Sequence, residues 1–296
     1  MHNRKLLRAQ IQLERFLQKV SRRNDPLEAF RKTKPYLDFE QATAVAIRKQ
    51  ITFLSTHLND IGMWGDEVLP EHQIEAKVST YLDRHMPKYA DIVAEETVYN
   101  CLFGAFVWSC KGAYERIGVK ILRKSVDYTV NFDLTNQDYI DALNNDASYL
   151  LNTKSKGYDQ TTKDRMVNIV KKGRLNNDTI DEVSSDLNAQ VDSISSVRSF
   201  MIANTETARA FGDANQAFRT ENAIPQKQWV TAGGNPCPIC ITNEEQGPIN
   251  SEDTFDSGDA DVPAHINDEC YVDNVGLDLS TMSNDELDAL VLWDGS

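Results

Sequence analysis

Five cysteines and five histidines are the only thiols and imidazoles in this 296-residue chain, and four of the ten stand between positions 237 and 270. Cys237 and Cys240 form a C-x-x-C knuckle in NPCPICITNEEQGPI (235–249). His265 and Cys270 follow in VPAHINDECYV (262–272). Three thiolates and one imidazole make a full tetrahedral shell for zinc, and four protein ligands leave no position for water. Two residues between the first pair let both sulfurs of a tight turn converge on one ion. Gly233, Gly234 and Pro236 suit the bends of that turn. The loop between the half-sites is rich in Gly, Ser and Asp and builds little core, so a metal staple would order it. Asp268 could replace one of its neighbours as an oxygen ligand. Unliganded thiols and a redox pair are the other readings. A redox pair belongs at a helix start after a core strand, whereas this knuckle, with a proline on both sides of Cys237, reads as a turn.

Elsewhere the residues offer little chemistry. His2, His57, His72 and His85 have no Cys or Ser arranged with them as a nucleophile pair, and there is no Gly-rich phosphate cradle. Cys101 and Cys110 lie in an apolar stretch, where free cysteine packs as a small hydrophobe. In NTETAR (204–209), Glu206 and Arg209 can pair at i,i+3. Asn204 falls in an apolar stripe of Val197, Met201, Ala208, Phe211, Ala214 and Phe218, so its amide needs a partner.

The elements that position these residues read as mostly helical up to about residue 223. Helices are predicted over 4–23 (basic and amphipathic), 39–60, 71–84, 91–118 (buried and central), 160–173, 179–190 and 195–222, with a new segment starting at 132–146. KQWVT (227–231) has strand composition. MSNDELDALVLWDGS (282–296) carries a capping-box pattern and predicts a short helix with an apolar side. The fold class expected is α+β: predominantly α-helical, with a small C-terminal β-containing module stapled by zinc.

Charge is unevenly placed in a chain of formal net charge -14. Residues 1–34 carry ten Lys/Arg against three acids, while 228–296 carry fifteen acids and no Lys or Arg. A basic start suits phosphate or an acidic protein surface; an acidic end repels nucleic acid and argues against a zinc-ribbon DNA binder. No secretory signal is read, and CLFGAFVWSC (101–110) is about half the length that crosses a bilayer. No membrane segment is expected, and a reducing cytosol is the expected site of synthesis.

Taken in order, FDLTN, DQTTKDRMVNIVKKG, IANTETARAFGDANQAFRTEN, KQWVTAGGNPCPIC, GPI and PAHINDEC resemble the Mu F-like minor head proteins of tailed phages, also called head morphogenesis proteins. The resemblance covers roughly residues 130–272. Two positions depart from the family pattern. Asn204 stands where Arg commonly precedes the T-E pair. Asp268 stands where the first cysteine of H-x-x-C-x-C would be, while His265 and Cys270 match.

The resemblance implies a low-copy, non-enzymatic structural protein of the phage head, present in the virion and assembled in the bacterial cytoplasm. Its implied partners are the portal protein and a scaffold or major capsid protein. Its implied roles lie in head assembly and in DNA packaging or exit. Phage DNA, if touched, would meet the basic N-terminal helix. The competing reading is a metal-dependent phage-encoded enzyme or effector with Glu206 as general base. The expected organisation is a helical N-terminal domain over 1–130, a helical middle over 131–226, a zinc-knuckle module over 227–275 and an acidic tail over 276–296.

Overall fold

The computed structural model describes residues 26–65, 68–116, 137–221, 224–232 and 236–275. The predicted helices at 4–23 and within 282–296, and the glycines 233 and 234, lie outside the described residues. The elements are α1 (Pro26–Phe30), α2 (Lys34–Thr56), a 3-10 turn (Leu58–Ile61), α3 (Glu71–His85), α4 (Tyr89–Ile92), α5 (Glu95–Arg116), α6 (Gln137–Tyr149), a π-helical turn (Leu150–Lys154), α7 (Ser155–Leu175) and α8 (Ile180–Glu221). Then come β1 (Gln226–Val230), α9 (Pro238–Glu245), β2 (Ile249–Asn250) and β3 (Tyr271–Val275). The fold is α+β and predominantly helical, with one small antiparallel sheet in the order β2-β1-β3. No described helix is long and apolar enough to cross a membrane.

The described residues divide into two compact units, each assembled from separated stretches. One comprises 34–65, 68–101 and 137–203; the other comprises 26–33, 102–116, 204–221, 224–232 and 236–275. The first is all helical. Ile47, Ile51 and Leu54 of α2, Ile74, Val78 and Leu82 of α3, Met166 and Val170 of α7 and Leu187 of α8 are buried at its core. Ion pairs join α3 to α7: Lys163 with Asp83 at 2.8 Å, and Lys171 with Glu71 at 3.0 Å and Glu75 at 2.5 Å. One buried polar knot crosses this core. The carboxylate of Asp159 accepts from the Gln50 amide and from the Tyr89 backbone N–H, and burial raises its pKa against those donors.

The helix boundaries differ from the pattern reading at two places. The stretch 179–222 is not two helices but one, α8, of 42 residues. Ser195, Ser196 and Ser199 return their hydroxyls to carbonyls three residues back and stay helical. Its start is a reciprocal box: the Thr179 N–H and hydroxyl donate to Glu182, whose own N–H donates back to Thr179. Upstream, α6 runs into α7 through the π turn, so helix precedes residue 160 without a break. The 91–118 stretch is α4 followed by α5, with Cys101 buried in the core as expected and Trp108 36% exposed. The Cys110 side chain lies outside the described ones.

The second unit carries the sheet. Lys227 and Trp229 of β1 turn inward, and Trp229 meets Phe255 edge-on at 5.1 Å. Trp229, Cys240, Phe255, Val262, Cys270 and Val272 form one buried cluster, so two of the expected ligands belong to the module's core.

Candidate metal centre

The knuckle opens a helix rather than lying in a turn. Cys237 is the N-cap of α9, with Pro238 at the first helical position, and the Cys240 N–H donates to the Cys237 sulfur at 3.4 Å. This placement, after strand β1, meets the criterion the sequence reading reserved for redox pairs. Proline at N1 pre-sets the helical backbone, which is why prolines around Cys237 mark a helix start here. The end of β1 is tied to α9 by Glu244, which accepts from the Thr231 N–H at 3.2 Å and from its hydroxyl at 2.6 Å.

The second half-site lies on the loop entering β3. The Cys237 and Cys240 sulfurs are 3.5 Å apart, and His265 Nε2 is 3.4 Å from the Cys240 sulfur. Ligands around a tetrahedral zinc would stand about 3.8 Å (S to S) and about 3.5 Å (S to N) apart, from bond lengths of 2.3 and about 2.0 Å. These two separations suit Cys237, Cys240 and His265 as ligands of one ion. The His265 Nδ1 lies 2.9 Å from the Ile266 carbonyl; donating there leaves the Nε2 lone pair for a metal.

Donors gather as two triads that share Cys240: Cys237, Cys240 and His265, and Cys240, Asp268 and Cys270. The cluster of Cys237, Cys240, His265 and Cys270 can hold a metal ion. Asp268, the oxygen ligand considered above, stands in the second triad. It is fully buried, and its two oxygens accept from the Ala264 and Cys270 N–H groups, each at 2.9 Å. The Cys240 thiol points at the same carboxylate from 3.7 Å. Asp268 thus shapes the loop that carries His265 and Cys270.

Electrostatics follow from burial. Burial and the Asp268 charge push the Cys270 thiol up to about 11, and push Cys240 higher still. Burial also acts on Cys237, but the Cys240 N–H donating to its sulfur and the nearby imidazole outweigh it, and its pKa falls. Burial opposes charging His265; the Ile266 carbonyl, Asp268 and Cys237 outweigh it and raise its pKa. Two neutral thiols facing a carboxylate are a set that a bound cation would deprotonate.

Helix α8 holds this loop, and here the sequence signal was seen but its partner was not. Asn204 Nδ2 donates to Asn267 Oδ1 at 3.0 Å and to the Asp268 carbonyl at 3.3 Å, while the Asn267 N–H donates to Thr205 Oγ1 at 2.9 Å. The partner of the buried amide is the ligand loop, not another helix. Asn267 takes the left-handed backbone (φ 61°) that asparagine tolerates. Further along α8, Asn215 donates to the Val272 carbonyl at 3.0 Å, and Arg219 pairs with buried Asp261 and with Asn274. Gly212 sits where any Cβ would run into the Val262 carbonyl. Residues 204, 212, 215 and 219 lie on one helix face; of these, Asn204 alone stood in the stripe read from the sequence, and the interface made by the others had no apolar period to mark it. Glu206 is buried and pairs with Arg209 at 3.5 Å, the i,i+3 pair expected. Of the other stripe residues, Ala208, Phe211, Ala214 and Phe218 are buried, whereas Val197 is 53% exposed.

Comparison with protein-family models, curated proteins and solved structures gives no match.

Proposed function

We propose that this chain is a structural minor head protein of a tailed phage, of the Mu F-like kind, and that Cys237, Cys240, His265 and Cys270 hold one structural zinc. The observation that carries the reading is the junction between α8 and the ligand loop. The N-T-E-T-A-R element and the P-x-H…C element are far apart in the sequence, yet Asn204 and Thr205 bond directly to Asn267 and Asp268. The two positions that depart from the family pattern, 204 and 268, touch each other.

A zinc bound there would cross-link α9 to the loop before β3 and supply rigidity, not a reactive water, because protein donors fill its shell. The role proposed is to lock a small acidic module onto a long helix for contact with the portal and with scaffold or major capsid protein during assembly. The test is incorporation. Heads assembled without this chain, or with Cys240→Ser, should lose the protein or assemble aberrantly beside a normal portal. Heads that form and fill normally in its absence would end the structural reading.

A further inference from the structure

Cys237 and Cys240 are placed for a bond to each other as well as to an ion. Their sulfurs stand 3.5 Å apart, and a disulfide closes that separation to about 2.05 Å. Three positions along a helix set Cα atoms about 5 Å apart, inside the range of about 4.4–6.8 Å that a disulfide spans. Rotation of the Cys237 side chain therefore closes the gap while the backbone of α9 stays in place.

The thiols differ in access. Cys237 is half-buried, and the Pro238 and Ile239 that follow it are exposed. Cys240 is fully buried in the Trp229 cluster, while Cys270 and Cys101 are 3% and 0% exposed. Among the described residues, Cys237 is the thiol that a soluble reagent meets first. It is also the N-cap of the eight-residue α9, and its sulfur accepts the Cys240 N–H at 3.4 Å. A helix start, partly open to solvent, with a second thiol behind it is the placement from which reactive cysteines attack.

We propose that Cys237 and Cys240 are a reversible thiol–disulfide pair, and that a soluble disulfide of the glutathione class opens the metal staple by oxidising them. The pair stands without the metal; the opening rests on the zinc reading above. In the first step the Cys237 sulfur attacks one sulfur of the reagent, whose S–S bond breaks and releases one thiolate. Cys240 then attacks the Cys237 sulfur of this mixed disulfide, and the Cys237–Cys240 bond forms as the second thiolate leaves. Two electrons pass from the protein thiols to the reagent, and the two thiol protons end on the released thiolates. His265 and Cys270 remain, and two ligands do not make a closed zinc shell. A bond within the first turn of α9 cannot replace an ion that joins α9 to the loop before β3. The module is thus stapled under reducing conditions and loosened under oxidising ones.

Differential alkylation and mass mapping of the full chain, after treatment with oxidised glutathione, test this. Cys237 and Cys240 should be withdrawn from alkylation together, Cys101 and Cys270 should stay alkylated, and dithiothreitol should restore the pair. Zinc should leave the wild-type chain at one ion per bond formed. Cys270→Ser should form the same bond although it holds no metal, which separates the pair from the ion. Glutathione should join Cys237 of the Cys240→Ser chain at least about tenfold faster than Cys240 of the Cys237→Ser chain, and denaturant should erase the difference. Cys237 and Cys240 left reduced in both the wild type and Cys270→Ser would overturn the proposal. So would equal rates in the two single variants, a lasting glutathione adduct on Cys237, or a bond from Cys240 to Cys270, whose sulfur lies within 4.8 Å of it. A chain that holds no metal yet forms the bond would refute the zinc reading and keep the pair. Zinc retained after complete bond formation would refute the opening of the staple.

Discussion

Cys270 and Asp268 compete for the fourth place around a metal, and single substitutions separate them. Asp268 spends both oxygens on backbone N–H groups, so its place is in the loop's framework. Cys270→Ser is expected to abolish stoichiometric metal binding, whereas Asp268→Asn, which keeps one acceptor, retains it with weaker affinity. Asp268→Ala leaves two N–H groups unpaired at about 1–3 kcal/mol each, and denaturant melts should show the loss. Metal that survives Cys270→Ser but not Asp268→Asn would make the aspartate the ligand. Protons give a second check. The raised thiols of Cys240 and Cys270 keep their protons throughout the neutral range. A metal must displace them, so affinity rises with pH, and about two or more protons should be released per ion in weakly buffered solution at neutral pH. The ligand types and spacing were readable in the sequence because chemistry restricts them to Cys and His. Asp268's part was not, because a carboxylate caging two backbone N–H groups looks in sequence like any other acid.

Helix α8 is where pattern reading and structure diverge most usefully. A period near 3.6 marked its buried face, but period alone cannot say what covers that face. Asn204, Gly212, Asn215 and Arg219 meet the ligand loop, the 261–262 segment and β3, all distant in sequence. The small residue at 212 permits the close approach. Gly212→Ala, ordinarily favourable in a helix by about 1 kcal/mol, is therefore expected to destabilise the second unit by about 1–3 kcal/mol through overpacking. Calorimetry of the single variant decides this, and a stabilised protein would show that the helix and the 261–262 segment are not in contact. The helix expected to stop at 190 and restart at 195 runs through, because the serines at 195, 196 and 199 bond carbonyls three residues back while the buried face continues past them. β1 was legible from Trp229 and Val230, whereas the two-residue β2 has no pattern of its own to read.

Across the molecule, the two units differ in what holds them. The all-helical unit relies on apolar burial and on the Asp159 knot, and the metal-ligand clusters found among the described residues lie in the other unit. Asp159→Ala strands the Tyr89 N–H and takes one of two acceptors from the Gln50 amide, which keeps the Pro87 carbonyl, and is expected to cost about 1–3 kcal/mol, read as lost exchange protection in α2 and α7 with metal content unchanged. The second unit places Cys240 and Cys270 inside the buried cluster around Trp229, so the order of that module should follow the ion. The most direct measurement of the central claim is elemental analysis of protein purified without chelator, paired with hydrogen exchange before and after chelation. About one zinc per chain is expected, together with loss of protection over 237–272 on chelation while α3 and α7 stay protected. Metal-free protein whose 237–272 segment is as protected as before would contradict the zinc staple.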